Sequence, residues 1–324
     1  MSLSHRKLSA WYHQLARQLE AGLPLAAALR SSRGTGLPAA RLEAMAQKIE
    51  AGGSVDAALE AAEGWLPLPD RLVLAAAAEA GRMPLTLNSL SARHARLGAA
   101  QLRLMVACLY PLAMLHFILL LLPVMRMVDW DKGFNWDFFA YTRTVAFTVL
   151  PLWAAILALV FLARRQNPVL SRVARLLPFV GGYLRAQGLA DFAFALGNFL
   201  DAGVLIGRAW SIAGSIASLP ELKRASVAME AVIVRGEKPG SQLSNWACFP
   251  PDFVALYHTG ETTGRLEESL FRLADQYQDR AGRALTLATL FYPALLFFAA
   301  AAAVIFHIIK FYSGYLKMIE KLAS

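Results

Sequence analysis

Three stretches of this chain carry no Asp, Glu, Lys or Arg: Leu104 to Met125, Thr144 to Ala163, and Ala284 to Ile309. At about 1.5 Å rise per residue, each can cross a hydrocarbon core of about 30 Å as a helix. A helix of that length in a globular core normally keeps a polar face, and these stretches have none. The pattern predicts transmembrane helices over 104–125, 144–163 and 285–309, so the rest of the chain must be arranged around three crossings. The first twenty residues contain Arg6, Lys7, Arg17 and Glu20 and no continuous apolar run, so insertion is expected to rest on the internal helices.

The net charge of +9 invites a nucleic-acid reading, but it is spread thinly. Residues 1–103 contribute +4, residues 164–284 contribute +3, the 126–143 loop is neutral and the tail 310–324 adds +2. No block resembles a basic arm, which favours solvated or membrane-facing surfaces over a nucleic-acid groove. Arg93, Arg96 and Arg103 precede the first span, Arg164, Arg165, Arg172 and Arg175 follow the second, and Arg280 and Arg283 precede the third. By the positive-inside bias, 1–103 and 164–284 face the cytoplasm and 126–143 is a short periplasmic loop. The tail would then lie outside, although Lys310, Lys317 and Lys321 pull the other way. Cys108 and Cys248 give neither a disulfide framework nor a metal-ligand spacing, in keeping with a cytoplasmic setting.

The two long polar segments repeat one another. A single constant offset aligns Leu15 with Leu196, Leu19 with Leu200, Glu20 with Asp201, Ala21 with Ala202 and Gly22 with Gly203. Gly22 and Gly203 each follow an apolar helical stripe as left-handed caps. Further on, Gly53-Ser54 opens a short helix echoed by Gly240-Ser241, and Pro67-Leu68-Pro69-Asp70 is echoed by Phe249-Pro250-Pro251-Asp252. Each copy then reaches a Glu-Gly segment: Glu79-Ala80-Gly81 in the first, and Gly260-Glu261-Thr262-Thr263-Gly264 in the second. The first version reads as one residue shorter, with Ala78 in place of Gly260. Glu79 and Glu261 are expected to be equivalent carboxylates accepting backbone N–H groups at the start of the next helix, with a hard-cation ligand as the lesser reading. Leu85, Leu90 and Leu97 are matched with Leu266, Leu270, Leu273 and Tyr277 on the helices that follow. Those helices lead to Tyr110-Pro111 and Tyr292-Pro293, where a proline removes one backbone donor and can bend the span. Neither copy shows strand alternation. The expected fold is an all-α membrane protein, with two repeated cytoplasmic bundles of about six helices each and three transmembrane helices.

Catalytic motifs are missing. Arg265 stands where a phosphate-binding loop needs Gly-Lys, and there is no His-Glu-x-x-His helix or Gly-x-Ser-x-Gly elbow. The histidines are scattered; His116 and His307 lie within spans, where a neutral imidazole can bond a neighbouring helix. Ala299 to Ala303 form a run of small residues suited to close helix approach, either to another span or to a second protomer. The reading is of a non-enzyme, with no catalytic, cofactor or metal site.

These residues resemble the type II secretion system F family, the inner-membrane platform proteins of type II secretion and type IV pilus machines. The likeness rests on the duplicated helical segment, Gly22 and Gly203, the proline turns, the Glu-x-x-Gly turn at Glu261–Gly264 and the Tyr-Pro pairs, with Glu79-Ala80-Gly81 and Ala78 as departures from it. It runs from about Trp11 to Lys321. Many members of that family have a further region before the first bundle, which this chain nearly lacks. The resemblance implies an inner-membrane scaffold that couples a cytoplasmic hexameric assembly ATPase to the assembly of pilin or pseudopilin subunits. Other inner-membrane assembly proteins would be partners, and the protein would be a homo-oligomer. A membrane subunit of a transporter working with a separate ATPase is the alternative.

Overall fold

The computed structural model describes residues 3–32, 37–125, 127–129, 133–134, 136–164 and 173–323. Arg126, Arg165 and Arg172 lie outside the described residues, as do the side chains of Arg164, His307, Lys310, Lys317 and Lys321. The first copy contains α1 (His5–Glu20), α2 (Leu25–Ser31), α3 (Ala39–Glu50), α4 (Val55–Glu60), α5 (Leu68–Glu79) and α6 (Met83–Met125). After a short antiparallel ladder, β1 (Val128–Asp129) with β2 (Gly133–Phe134), comes α7 (Phe138–Arg164). The second copy follows as α8 (Val180–Asp201), α9 (Ile206–Ile216), α10 (Pro220–Val234), α11 (Pro239–Gln242), α12 (Pro251–Thr263) and α13 (Leu266–Ala323).

The repeat in sequence is a repeat in burial. On α1, Leu8, Trp11, Tyr12, Leu15 and Ala16 are buried; at the matching positions α8 buries Leu189, Phe192, Ala193, Leu196 and Gly197. Both helices stop where Gly22 (φ 84°) and Gly203 (φ 76°) take the left-handed conformation, which costs a residue with a Cβ about 1–2 kcal/mol. Ser54 caps α4 by accepting the N–H of Ala57 at 3.1 Å. Its counterpart, α11, opens on Pro239 instead, at a position where a helix has no use for the missing N–H.

The structure corrects the register at the Glu-Gly segment. The separation between Pro67 and Gly81 equals that between Pro250 and Gly264, with each proline at an N-cap and each glycine at positive φ. The two segments are therefore equally long, and neither copy has a shorter turn. Buried Asp70, Leu74 and Ala77 match buried Phe253, Tyr257 and Gly260. Glu261 corresponds to Ala78, and Glu79 to Thr262. A step of one residue is a rotation of about 100° on a helix, so the two carboxylates leave on different faces. Glu79 is exposed at the end of α5, whereas Glu261 reaches back to accept the N–H of Gly240 at 3.2 Å. The expectation that Glu79 and Glu261 serve the helix that follows is thus replaced for Glu261 by a bond to the preceding α11. Likewise Leu85 is exposed, and Leu87 and Leu90 are the buried matches of Leu270 and Leu273.

Residues 1–101 and 183–282 form one compact unit, so the two copies are packed on each other as a single body. Its first core centres on Trp11, Tyr12, Leu29, Leu42 and Trp65. Its second centres on Phe192, Phe199, Trp210, Phe253 and Tyr257. Val73 of α5 belongs to the second core, and Phe194 of α8 packs against both.

Residues 102–182 and 283–324 form the other unit. Helices α6, α7 and α13 each contain a window apolar enough to cross a membrane, and none of those windows is covered by the protein's own side chains. Leu109, Phe139, Phe147 and Phe298 are each exposed over most of their surface. Burying such residues in lipid removes the cost of their hydration, at about 25 cal/mol per Å². Asp137 starts α7 by accepting the N–H groups of Phe139 and Ala140 at 2.9 and 3.1 Å. Helix α13 continues without a break through the tail to Ala323.

A Cβ on Gly260 would run into the side chain of Ser269 and lie 3.1 Å from Leu266 Cα, whereas one on Gly22 would meet nothing within 4 Å. Gly260→Ala should therefore cost about 1–3 kcal/mol through overpacking. Gly22→Ala should cost about 1–2 kcal/mol through its backbone alone. Denaturant unfolding of the two variants in detergent measures the difference, and Gly22→Ala is expected to leave the core packing, read by tryptophan fluorescence, unchanged.

Candidate functional site

The seam between the copies is built from cations on one side and carboxylates on the other. Arg82, just ahead of α6, pairs with Asp201 at the end of α8; Arg96 of α6 pairs with Asp275 of α13. Both pairs are largely exposed and, held in water, are worth little individually. Arg93 differs. It lies between them, with Nη2 2.7 Å from Asp191 of α8 and Nη1 3.5 Å from Asp70 of α5, and its guanidinium sits 5.2 Å over the ring of Phe194. Burial opposes its charge, but Asp191 and Asp70 outweigh that and hold the Arg93 pKa above its ordinary value.

Asp70 is the centre of this arrangement. It lies in the first turn of α5, where the helix dipole favours a negative charge, yet it is completely buried. Oδ2 accepts from the Tyr12 hydroxyl at 2.8 Å and from His94 Nε2 at 2.7 Å. Burial and the neighbouring Asp70 carboxylate push the Tyr12 phenol well above its ordinary pKa, so the hydroxyl keeps its proton and donates it. His94 is itself buried, and its Nδ1 lies 2.7 Å from Nδ1 of His5. A mutual pair of hydroxyls, Ser9 and Ser91, ties α1 to α6 one turn away, each donating to the other's carbonyl at 2.9 Å. Residues 5, 12, 70, 94, 93 and 191 thus make one polar chain from the edge of α1 to the second copy.

Two openings flank Arg93. A cavity of about 50 Å³ is bordered by Asp70, Arg93, Asp191 and Ala217, and Asp70 Oδ1 is buried without a hydrogen bond. A wider cleft of about 270 Å³ has an apolar floor of Ala190, Phe194 and Phe271 and a rim formed by the Arg93–Asp191 and Arg96–Asp275 pairs. The polar groups of the rim are committed to one another. The chemistry along the seam is charge pairing and hydrogen bonding.

In the second copy the equivalent place is lighter. Tyr277 takes the position of His94, and its hydroxyl donates to Asp252 at 3.0 Å, with Arg280 2.8 Å from the same carboxylate. Tyr277 is buried there while Asp252 and Arg280 are partly exposed, and the position matching Asp70 is filled by Phe253, whose ring lies 5.9 Å from that of Tyr277.

In the membrane-spanning unit the structure brings Tyr110, Pro111 and Pro293 to one crevice of about 20 Å³ between α6 and α13. Tyr292 stays outside that crevice. Its hydroxyl donates to the carbonyl of Pro178 at 2.9 Å, while Phe291 packs on Phe179, the one non-glycine residue at positive φ among those described. The two Tyr-Pro pairs therefore share a sequence but make different contacts. His116 ties α6 to α7: Trp153 Nε1–H donates to Nε2 at 3.0 Å, which leaves Nδ1–H to donate to the Leu112 carbonyl at 2.7 Å.

Gly22, Gly81, Gly203 and Gly264 take the left-handed conformation, and Tyr110 and Pro111 line the crevice between α6 and α13; sequence reasoning named these residues. It missed the cluster of His5, Tyr12, Asp70, Arg93, His94 and Asp191. The one local signal was Asp70, an acid on the buried face of α5 where the matching helix has Phe253. Removing one partner from a buried pair costs about 3–5 kcal/mol, against at most about 1 kcal/mol for an exposed one. Arg93→Ala is thus expected to destabilise the protein several times more than Arg96→Ala, as read by denaturant unfolding.

Comparison with known proteins follows the same two segments. A family model described as type II secretion system (T2SS), protein F, matches residues 11–128 and again 192–313. The chain is 26% identical to a type 4 fimbrial assembly protein PilC of Pseudomonas putida over 306 residues, which is 87% of this chain and 76% of that one. It is 25% identical to the type II secretion system protein F of Pseudomonas aeruginosa, over 94% of this chain and 80% of that one. A type IV pilus assembly protein PilC of Myxococcus xanthus is 27% identical over 39% of this chain and 31% of its own. With a duplicated helical segment, three apolar spans and a match over most of its length, this chain belongs to the type II secretion system protein F family.

Proposed function

We propose that the protein is an inner-membrane platform of a type II secretion or type IV pilus machine. On this reading, it couples a cytoplasmic hexameric ATPase to the assembly of pilin or pseudopilin subunits. The observation that supports this best is the continuity of α6 and α13, each of which begins in a copy of the duplicated segment and runs on into an apolar window. A helix transmits displacement along its axis because its hydrogen bonds resist stretching, so force applied to either copy is passed along the chain without any bond-making chemistry. Residues 1–103 and 164–284 take the cytoplasmic side and the 126–143 loop the periplasmic side, with spans over 104–125, 144–163 and 285–309. Other assembly proteins of the inner membrane, and further copies of this chain, pack against the lipid-facing helices, where Ala299 and Ala302 are exposed. The choice between secretion and pilus roles is made by the partners.

Deletion of the chain in its host is expected to abolish surface filaments or secretion, with rescue by the intact protein. Normal filaments and secretion in the deletion strain, or solute flux through proteoliposomes holding the protein alone, would overturn the reading in favour of transport. The orientation has its own test. In a background without Cys108 and Cys248, a cysteine in the 126–143 loop should react with an impermeant reagent in spheroplasts, and one within 220–240 should react only after lysis. The reverse pattern would refute the assigned topology.

A further inference from the structure

The contact between His5 and His94 is an unusual one. Two imidazole Nδ1 atoms face each other at 2.7 Å, so one must carry a hydrogen and the other must not. The rest of the chain limits how that proton is held. His94 Nε2 lies 2.7 Å from the carboxylate of Asp70, which already accepts from Tyr12, so Nε2 carries its hydrogen and donates it. The pair then has one proton between the two Nδ1 atoms. A single positive charge leaves that bond intact, because His5 can take a proton at its other nitrogen, Nε2. Only when both rings are cations does each Nδ1 carry a hydrogen, and N–H then faces N–H at hydrogen-bonding distance.

We infer that His5 and His94 form a proton-operated latch that closes the start of α1 onto α6 and opens when both imidazoles are protonated. The groups facing His5 pull both ways, and the balance has a clear direction. Burial disfavours a second positive charge most of all, and His94 and Arg93 on α6 repel it. Asp70 on α5 and Asp191 on α8 attract it more weakly. The net effect is that His5 is lowered from its ordinary 6.5. With the folded value below the unfolded one, the unfolded chain binds more protons between the two. The contribution of His5 to stability is therefore complete above pH 6.5 and is lost as pH falls through its folded value. His5 is partly exposed and can take up a proton directly, whereas His94 is buried. Opening would free the first turn of α1 where it packs on Gly98 of α6, whose Cβ position lies 3.6 Å from His5 Cβ. Acidification thereby acts on the helix that continues into the first span. This goes beyond the platform reading and does not depend on it, because the latch belongs to the packing of this chain alone.

Hydrogen–deuterium exchange on the full-length protein in nanodiscs, at pH of about 7.5 and about 5.5 on either side of an ordinary histidine pKa, tests it. With rates divided by the intrinsic exchange rate, protection of the amides of residues 8–12, the first that are bonded in α1, should fall severalfold at the lower pH. His5→Gln should abolish that pH dependence, and His13→Gln, exposed on the same helix, should retain it. Equal loss of protection in His5→Gln, or no loss in the unaltered protein, would overturn the proposal. Should His5→Gln not fold, NMR titration of the unaltered protein decides. Two independent titrations near 6.5 would refute the latch, and one displaced well below it would support it.

Discussion

A buried carboxylate is the polar centre of the unit formed by residues 1–101 and 183–282. Asp70 is buried where two helical copies meet, and a charge in that position is tolerable only if nearly every neighbour answers it. Tyr12 comes from α1, His94 and Arg93 from α6, and Arg93 carries the connection across to Asp191 on α8. The four helices are thereby held in one arrangement by bonds that have direction, which apolar packing lacks. Around that centre the second core accepts Val73 from the first copy, and Phe194 packs against both cores.

The duplication shows how two copies of one module can diverge to pack on each other. The face of α5 that carries Asp70 is matched on α12 by Phe253, a swap of charge for apolar volume. Arginines on or just before α6 meet aspartates on α8 and α13, so the cations come from the first copy and the carboxylates from the second. Two identical copies would present the same charges to each other. Dividing the signs between them makes the seam complementary and specific to unlike copies.

The membrane-spanning unit uses polar groups sparingly and locally. His116 receives the Trp153 indole N–H, and Tyr141 donates to the Leu120 carbonyl at 3.2 Å, so α6 and α7 are joined at two levels. Tyr292 spends its hydroxyl on the loop that returns to the second copy. In hydrocarbon a polar group without a partner is costly, which is why each of these side chains is satisfied by a neighbouring helix or loop. The remaining surface of the three windows is apolar and exposed.

Sequence alone was enough for the elements that depend on local rules. Long uncharged runs mean membrane spans, an apolar stripe at helical spacing ending at Gly22 or Gly203 means a helix and its cap, and a string of matches at one offset means two copies. It was misleading where one residue of register mattered. Matching Glu79 to Glu261 satisfies the letters, but a helix turns about 100° per residue, and only the burial of Ala77 and Gly260 shows which positions are equivalent. It was silent on the seam, because His5, Asp70, His94 and Asp191 are far apart in the chain and none carries a motif. Their meeting is decided by how α1, α5, α6 and α8 pack, a long-range matter that no window of sequence contains. Tertiary structure made that cluster, and it made it between groups that, read singly, are ordinary polar residues on helices.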